Sequence, residues 1–250
     1  LATLIMLDTR MIGRDVQPDV GPDVTPESVE AAMRDPDRQL LGEAQEAWLA
    51  GALQRGADST WQVIGQQVMV SPTRSPELEP LLDLERESML SREQLEGYIA
   101  LSKGNPPMLL DTWNGYPVAR ERFLGTLAKF ARNPVVLSGD LHTSLAGNLV
   151  PHGSETPVAV ELMTSSVTSP GFAEYLPEKA PGVISEATLA VNPTLRYRDT
   201  DHRGWLSVEL THDACTGDWR LVDTVHAREH AFETDKSLTV RAGRISEGLA

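Results

Sequence analysis

The stretch "NPVVLSGDLHTSLAGN", Asn133 to Asn148, runs from the aliphatic residues Val135 to Leu137 into Gly139-Asp140, with His142 two places on. A short continuous apolar run bounded by turn residues reads as a strand in the interior of a sheet. Residues that follow such a strand stand at its carboxyl end, where open α/β sheets gather their ligands. Gly139 lets the backbone turn sharply there and come close to a ligand. Asp140 and His142 supply oxygen and nitrogen donors suited to a transition metal or a mixed-metal site. An ordinary polar loop can carry the same residue types, so the rest of the chain has to decide between the two.

Upstream, the chain alternates strands and helices. Leu1–Leu7 is an apolar strand that ends in "DTR". The Pro- and Asp-rich "DVQPDVGPDVTPESVE" is a loop, ending where Thr25 or Ser28 would cap a helix. From Gln39 to Gln54, Leu41, Ala44, Trp48 and Ala52 recur at helical spacing, and Gly56 stands where a C-terminal stop belongs. "TWQVIGQQVMV" (Thr60–Val70) is a buried strand, and residues 71–90 form a surface excursion. Ser91 and Gln94 make a capping box for a short helix. "PMLLDTWNGYP" reads as strand then loop, and Pro117 opens the helix "VARERFLGTLAKFARN", with Phe123, Leu127 and Phe130 on one face.

After Leu137 the long helices stop. "PVAVELMTSSVTSPGF", "RGWLSVELTHD" and "WRLVDTVHARE" are strands, the last two joined by a loop carrying Gly217-Asp218. Helix–strand alternation followed by β pairs predicts a layered α/β fold with mixed sheets and at least one antiparallel edge.

Composition limits the function classes. The 250 residues are 40% hydrophobic, enough for a core in one domain, and carry 22 Lys and Arg against 36 Asp and Glu, a formal charge of −14. Nucleic-acid backbones and anionic membrane surfaces both demand a basic face, so neither is the expected partner. No apolar run approaches the ~20 residues of a membrane helix. Cys215 is the single cysteine, which excludes an internal disulfide and a Cys-based zinc site. No protein partner can be read from these residues. The first ten, "LATLIMLDTR", lack an initiator Met and start inside a strand-like run, which reads as a piece of a longer chain.

Three apolar runs end in Asp beside a reactive partner: "LIMLDTR", "PMLLDTWNGY" and "VVLSGDLHTS". Arg10 offers a guanidinium fork for a phosphate or carboxylate. A metal that activates water beside an arginine that holds an anion is the minimum apparatus for phosphate ester hydrolysis. Taken singly, Asp8 and Asp111 are read as turn-formers. Ser138 lacks the G-x-S-x-G elbow of a serine nucleophile. His202, His226 and His230 fall at no metal-binding spacing and read as surface or core-edge residues.

Taken together, "LDTR", "LLGEAQEAWLAGAL", "WQVIGQQVMV", "DTWNGYPVARERFL", "NPVVLSGDLHTSLAGNL", "VELMTSSVTSPGF", "NPTLRYRDTDHRGWL" and "WRLVDTV" resemble, block by block and in order, the PhoD-like alkaline phosphatases. The resemblance implies a metallophosphoesterase-like layered α/β sandwich, with residues 1–250 as the C-terminal part of its catalytic domain. It implies a calcium- and iron-dependent phosphomonoesterase or phosphodiesterase acting on a small-molecule phosphate ester, exported to the periplasm or the extracellular space. Carried over by position, Asp140 is a metal ligand and His142 is a metal ligand or a phosphate contact. Arg10 is the active-site arginine, structural or phosphate-facing, and Asp111, Trp113 and Tyr116 line the substrate pocket; Asn114 stands where the family commonly has Asp. The family's further ligands, among them a strand-end cysteine, belong to an earlier half that does not precede Leu1, and Cys215 is no substitute. The alternative reading is therefore a catalytically inactive fragment, or a subunit needing a second polypeptide to complete the site.

Overall fold

Short strands rich in Val, Ile and Leu set the architecture. The computed structural model describes residues 1–18, 26–107 and 109–250. Strands β1 (Ala2–Met6), β2 (Trp61–Gly65), β3 (Pro134–Ser138) and β5 (Ala159–Met163) run parallel, in the register Ile5↔Ile64↔Val136↔Glu161. Strand β4 (Ser144–Leu149) lies antiparallel between β5 and β6 (Leu195–Asp199), giving the sheet order β1-β2-β3-β5-β4-β6. A second, antiparallel sheet holds β7 (Gly204–Leu210), β8 (Ala214–Val222) and β9 (Phe232–Arg241).

Side-chain alternation sorts these residues into three layers. One face of the large sheet, with Ile5, Ile64 and Val136, packs on Leu49 and Leu53 of α2 (Glu43–Arg55) and on Phe123, Leu124 and Leu127 of α4 (Pro117–Phe130). The other face, with Val63, Val135, Val160 and Leu162, packs on Trp219, Leu221, Leu238 and Val240 of the second sheet. Burial of a side chain such as Ile64 contributes about 1.5–3 kcal/mol. The result is the layered α/β sandwich with a mixed and an antiparallel sheet that the sequence predicts.

Several local signals act as read. Ser91 Oγ accepts from the Gln94 N–H at 3.2 Å, closing the capping box of α3 (Arg92–Ser102). Pro117 is the first residue of α4, and Gly56 ends α2 with its N–H on Ala52 O at 3.0 Å.

Others are overturned, each for a physical reason. Helix α2 starts at Glu43 and buries Leu49, Ala52 and Leu53, leaving Trp48 47% exposed; Leu40 and Leu41 are buried before it begins. Ser28 lies inside α1 (Pro26–Met33) instead of capping it, and Thr25 falls outside the described residues. The strand expected just before Asp111 does not form among the described residues. Pro106 and Pro107 lack N–H donors, and Leu109 (φ +55°) turns back so that its carbonyl accepts from the Thr112 N–H at 2.9 Å. Residues 71–90 are a surface excursion only in part: Ser71, Thr73, Leu78 and Leu82 are buried, the leucines in a small core with Leu95, Leu176 and Ile184, while no residue from 83 to 90 is buried. Gly217 and Asp218 sit within β8, and the β7–β8 turn falls at residues 211–213. Strands β4, β6 and β9 and helix α6 (Val183–Val191) are additions to the sequence reading.

Candidate functional site

The four parallel strands β1, β2, β3 and β5, and β6 with them, all end at one edge of the large sheet. That edge receives the "LDTR" loop, Gln66-Gln67, the Gly139–His142 turn, the 164–171 loop and the Asp199–Arg203 segment.

After β1 the chain folds back on Asp8, whose Oδ1 accepts the N–H groups of Met11 and Arg10, both at 2.8 Å. Those two donors, Met11 first, lower the pKa of the Asp8 carboxyl. Two glutamines fix the loop to the scaffold. Gln67 Oε1 accepts from the Thr9 N–H at 2.8 Å, and Gln45 Oε1 accepts from the Asp8 N–H at 2.7 Å. Sequence reasoning missed both, although Gln67 stands two residues past the end of β2 and so belongs to a strand end like the others.

Arg10 leaves this loop as a fork. Its Nη1 donates to Asp111 Oδ2 at 2.6 Å and its Nη2 to Asp140 Oδ2 at 2.5 Å. Arg14, which the sequence reading passed over, donates to Asp111 Oδ1 at 2.5 Å and to Thr9 O at 3.1 Å. Partial burial works against the Arg10 charge, yet the hydrogen bonds to Asp140 and Asp111 and the charges behind them raise its pKa overall. The Arg10 side chain is 30% exposed, Asp140 34% and Asp111 50%, so each pair contributes at most ~1 kcal/mol. Orientation, rather than stability, is what these pairs supply.

After β3 the backbone takes a conformation that side chains disfavour. The Leu141 N–H bonds back to Gly139 O at 2.8 Å, closing a tight three-residue turn with Asp140 at its centre (φ +69°). His142 follows at φ +54°. Left-handed non-glycine residues cost about 1–3 kcal/mol each and concentrate at functional sites. His142 Nδ1 lies 2.7 Å from Pro170 O. A carbonyl oxygen only accepts, so Nδ1 carries the proton, and Nε2 of the neutral ring keeps its lone pair for a ligand.

The structure thus joins Arg10, Asp111 and Asp140 directly and sets His142 in the turn that carries Asp140. Trp113 and Tyr116 depart from the expectation. Both side chains are 0% exposed, so neither offers an atom to a substrate in this arrangement. Trp113 stacks on Phe123 with ring centroids 4.8 Å apart, and the Tyr116 hydroxyl donates to Asp15 O at 2.7 Å. Their size lets them support the loop of Asp111 from beneath. Asn114 also serves the scaffold, its amide bonding both the N–H (3.3 Å) and the C=O (3.2 Å) of Thr73.

Beneath the edge lies a buried carboxyl unforeseen in the sequence, although a Glu inside "PVAVELM" is its signal. Glu161 is 0% exposed and accepts from Val70 N–H (2.8 Å), Ser71 N–H (2.7 Å) and Ser138 Oγ (2.6 Å). Burial raises its pKa against those donors. Ser138 is tied into this network through its hydroxyl. His202 is half exposed and paired with Asp199 at 2.9 Å, while His226 and His230 are exposed, in line with the surface reading.

Among the described residues no group of three or more His, Cys, Asp or Glu side chains is disposed to hold a metal ion. Asp140 and His142 carry an oxygen and a nitrogen donor of the types such a site uses, and no third such donor joins them among the described residues. Cys215 is buried in the second core, which pushes its thiol pKa up to about 12 and excludes it as a ligand there.

The sequence of residues 1–219 matches the model of the PhoD-like phosphatases. The chain belongs to this family. It is 27% identical over 241 residues to alkaline phosphatase D of Bacillus subtilis (strain 168), covering 95% of this chain and 35% of that protein. It also superposes on a solved structure of PhoD with a TM-score of 0.74 at 26% identity, across 100% of this chain and 41% of the other. The chain therefore spans about a third of the length of the curated relative it matches. No helix among the described residues is long and apolar enough to cross a membrane.

Proposed function

We propose that this chain carries part of the active site of a metal-dependent phosphate ester hydrolase. The observation that supports this most is the strained Asp140–His142 turn beside the Arg10 fork, at the carboxyl ends of the strands. A stability role would not need two left-handed side-chain-bearing residues in three positions; presenting a carboxylate and an imidazole nitrogen on one turn does.

Charge counting gives the metal its reason. Asp111 and Asp140 pair with two guanidiniums, Arg10 and Arg14, and the neighbouring Asp8 carboxylate is held only by backbone N–H groups, so the three carboxylates and two guanidiniums carry one negative charge more than positive. A phosphate ester anion is attracted only after a cation joins this set. Calcium and iron, the ions the resemblance implies, would use Asp140 and His142 Nε2 as two of their donors. Such ions, when bound, supply charge neutralisation and an activated oxygen nucleophile.

The chain's own groups act around them. Arg10, with Nη1 on Asp111 and Nη2 on Asp140, steers a phosphoryl oxygen through the remaining N–H groups of its fork, and Arg14 keeps Asp111 in place. His142 keeps Nε2 as an acceptor because Pro170 holds its other nitrogen. The substrate class is a small phosphate monoester or diester. Export to the periplasm or the extracellular space follows from the family relationship alone, and a stable nucleic-acid partner is not part of the reading at a formal charge of −14.

A second reading has its own observation. The described residues lack a complete group of metal donors. On that reading the chain contributes Asp140 and His142 to a site that another stretch of polypeptide completes. Elemental analysis of the purified protein, with hydrolysis of a chromogenic phosphomonoester and phosphodiester with and without added calcium, tests both. Bound metal with turnover supports the first; absence of both supports the second.

A further inference from the structure

The orientation of His142 depends on the carbonyl of Pro170, and Pro170 sits between two anchored neighbours. On one side, Arg203 Nε donates to Ser169 O at 3.1 Å. On the other, the Gly171 N–H donates to Glu174 Oε2 at 2.9 Å. The two anchors are one unit, because Arg203 Nη2 is ion-paired with the remaining oxygen of Glu174. The Arg203 side chain is 10% exposed and that of Glu174 29%, so the guanidinium end is largely shielded from solvent, and its bonds to Ser169 O and to Glu174 fix its geometry. The segment also lies hard against the strained turn: a Cβ on Gly171 would come within 3.0 Å of His142 O.

We infer that Arg203 and Glu174 are positioning residues that bracket Pro170 and thereby hold His142 as the Nδ1–H tautomer with Nε2 free. Neither residue touches the reacting atoms. Their effect reaches the site through one carbonyl oxygen, as outer-sphere partners of metal-bound imidazoles generally act. Arginine is required over lysine because two separate acceptors, Ser169 O and the Glu174 carboxylate, are engaged by one rigid fork. The inference rests on the role given to His142 above, and its test separates the two.

The experiment is a histidine-ring 15N NMR spectrum of the metal-free protein near neutral pH, with the His142 signals assigned by their loss in His142→Gln. Wild type is expected to show the single Nδ1–H pattern. Arg203→Met is expected to give a mixture of tautomers, Arg203→Lys a partial return to the wild-type pattern, and Glu174→Ala a mixture again. Hydrolysis should show kcat lowered about 10–100-fold in Arg203→Met with KM little changed. Circular dichroism establishes that each variant is folded; should Arg203→Met fail to fold, Glu174→Ala carries the same test. An unchanged Nδ1–H pattern in the folded variants overturns the inference whatever the activity. Absence of hydrolysis in wild type, with the tautomer responding as stated, counts against a site that works within this chain alone and leaves the clamp standing.

Discussion

His142 Nδ1 donates to Pro170 O across 2.7 Å, which ties the turn after β3 to the loop after β5. The bond settles which ring nitrogen is free, a point the "GDLH" motif leaves open. Replacement of His142 by Ala removes that nitrogen from a partly exposed position where no core cavity results. The expected outcome is a loss of turnover of about 100-fold or more with an unchanged circular dichroism spectrum. Steady-state kinetics on a chromogenic phosphoester checks it; a near-wild-type rate would sink the role.

Arg10 joins Asp111 and Asp140 through two different nitrogens. A lysine keeps the charge and loses the fork, so it can hold one carboxylate at a time. Arg10→Lys should lower kcat/KM about tenfold or more while shifting the denaturation midpoint little, because these exposed pairs contribute at most ~1 kcal/mol. A stability loss with unchanged kinetics would mean that Arg10 is structural.

Trp113 belongs to the scaffold, a role that separates cleanly from substrate contact. Trp113→Ala should cost about 3–5 kcal/mol in denaturant unfolding, as expected for a fully buried aromatic. In protein that remains folded, KM should change little. A large KM effect at unchanged stability would restore Trp113 to the pocket wall.

Glu178 gives the stability a pH dependence. It is buried, and its carboxyl pKa is pushed up to about 7, first by burial and then by the nearby Asp201 carboxylate. The folded state therefore holds this proton more tightly than the unfolded chain. The contribution is fully present below the unfolded value near 4.5 and is lost as pH rises through about 7. Thermal midpoints measured from pH 4.5 to 8 should show a downward component in wild type that is absent in Glu178→Gln.

Among the described residues β1 is an edge strand, with Leu4 64% and Met6 61% exposed on one face. Unpaired backbone beside apolar side chains invites edge-to-edge pairing, and a charge on that face prevents it. Leu4→Lys should reduce concentration-dependent association in light scattering without lowering the denaturation midpoint.

The legibility of this fold followed the strength of local signals. Continuous apolar runs such as "PVVLS" and "WQVIG" announced the parallel strands, and caps such as Ser91 marked helix starts, because their causes are local. "PMLL" misled because its apolar character outweighed the turn signals beside it: two prolines and the left-handed Leu109 oppose a ladder. Strand β4, "SLAGNL", was hidden by Gly147, which accepts no larger side chain because a Cβ there would come within 2.4 Å of Ser71 Oγ. At the site, Arg10, Asp140 and His142 were legible from strand-end positions, and Asp111 from the resemblance alone, since no strand precedes it among the described residues. Gln45, Gln67, Arg203 and Glu174 were not. Gln45 acts across 37 residues, and the arginine and its glutamate across 29. The sequence pattern alone cannot announce such pairs.

The most direct test of the account compares wild type with His142→Ala for bound metal, by elemental analysis, and for hydrolysis of a chromogenic phosphomonoester and phosphodiester with added calcium. On the first reading, wild type holds metal and turns over, and the variant loses about 100-fold or more of the turnover with weakened metal binding. Equal metal content and equal turnover in the two proteins would contradict it.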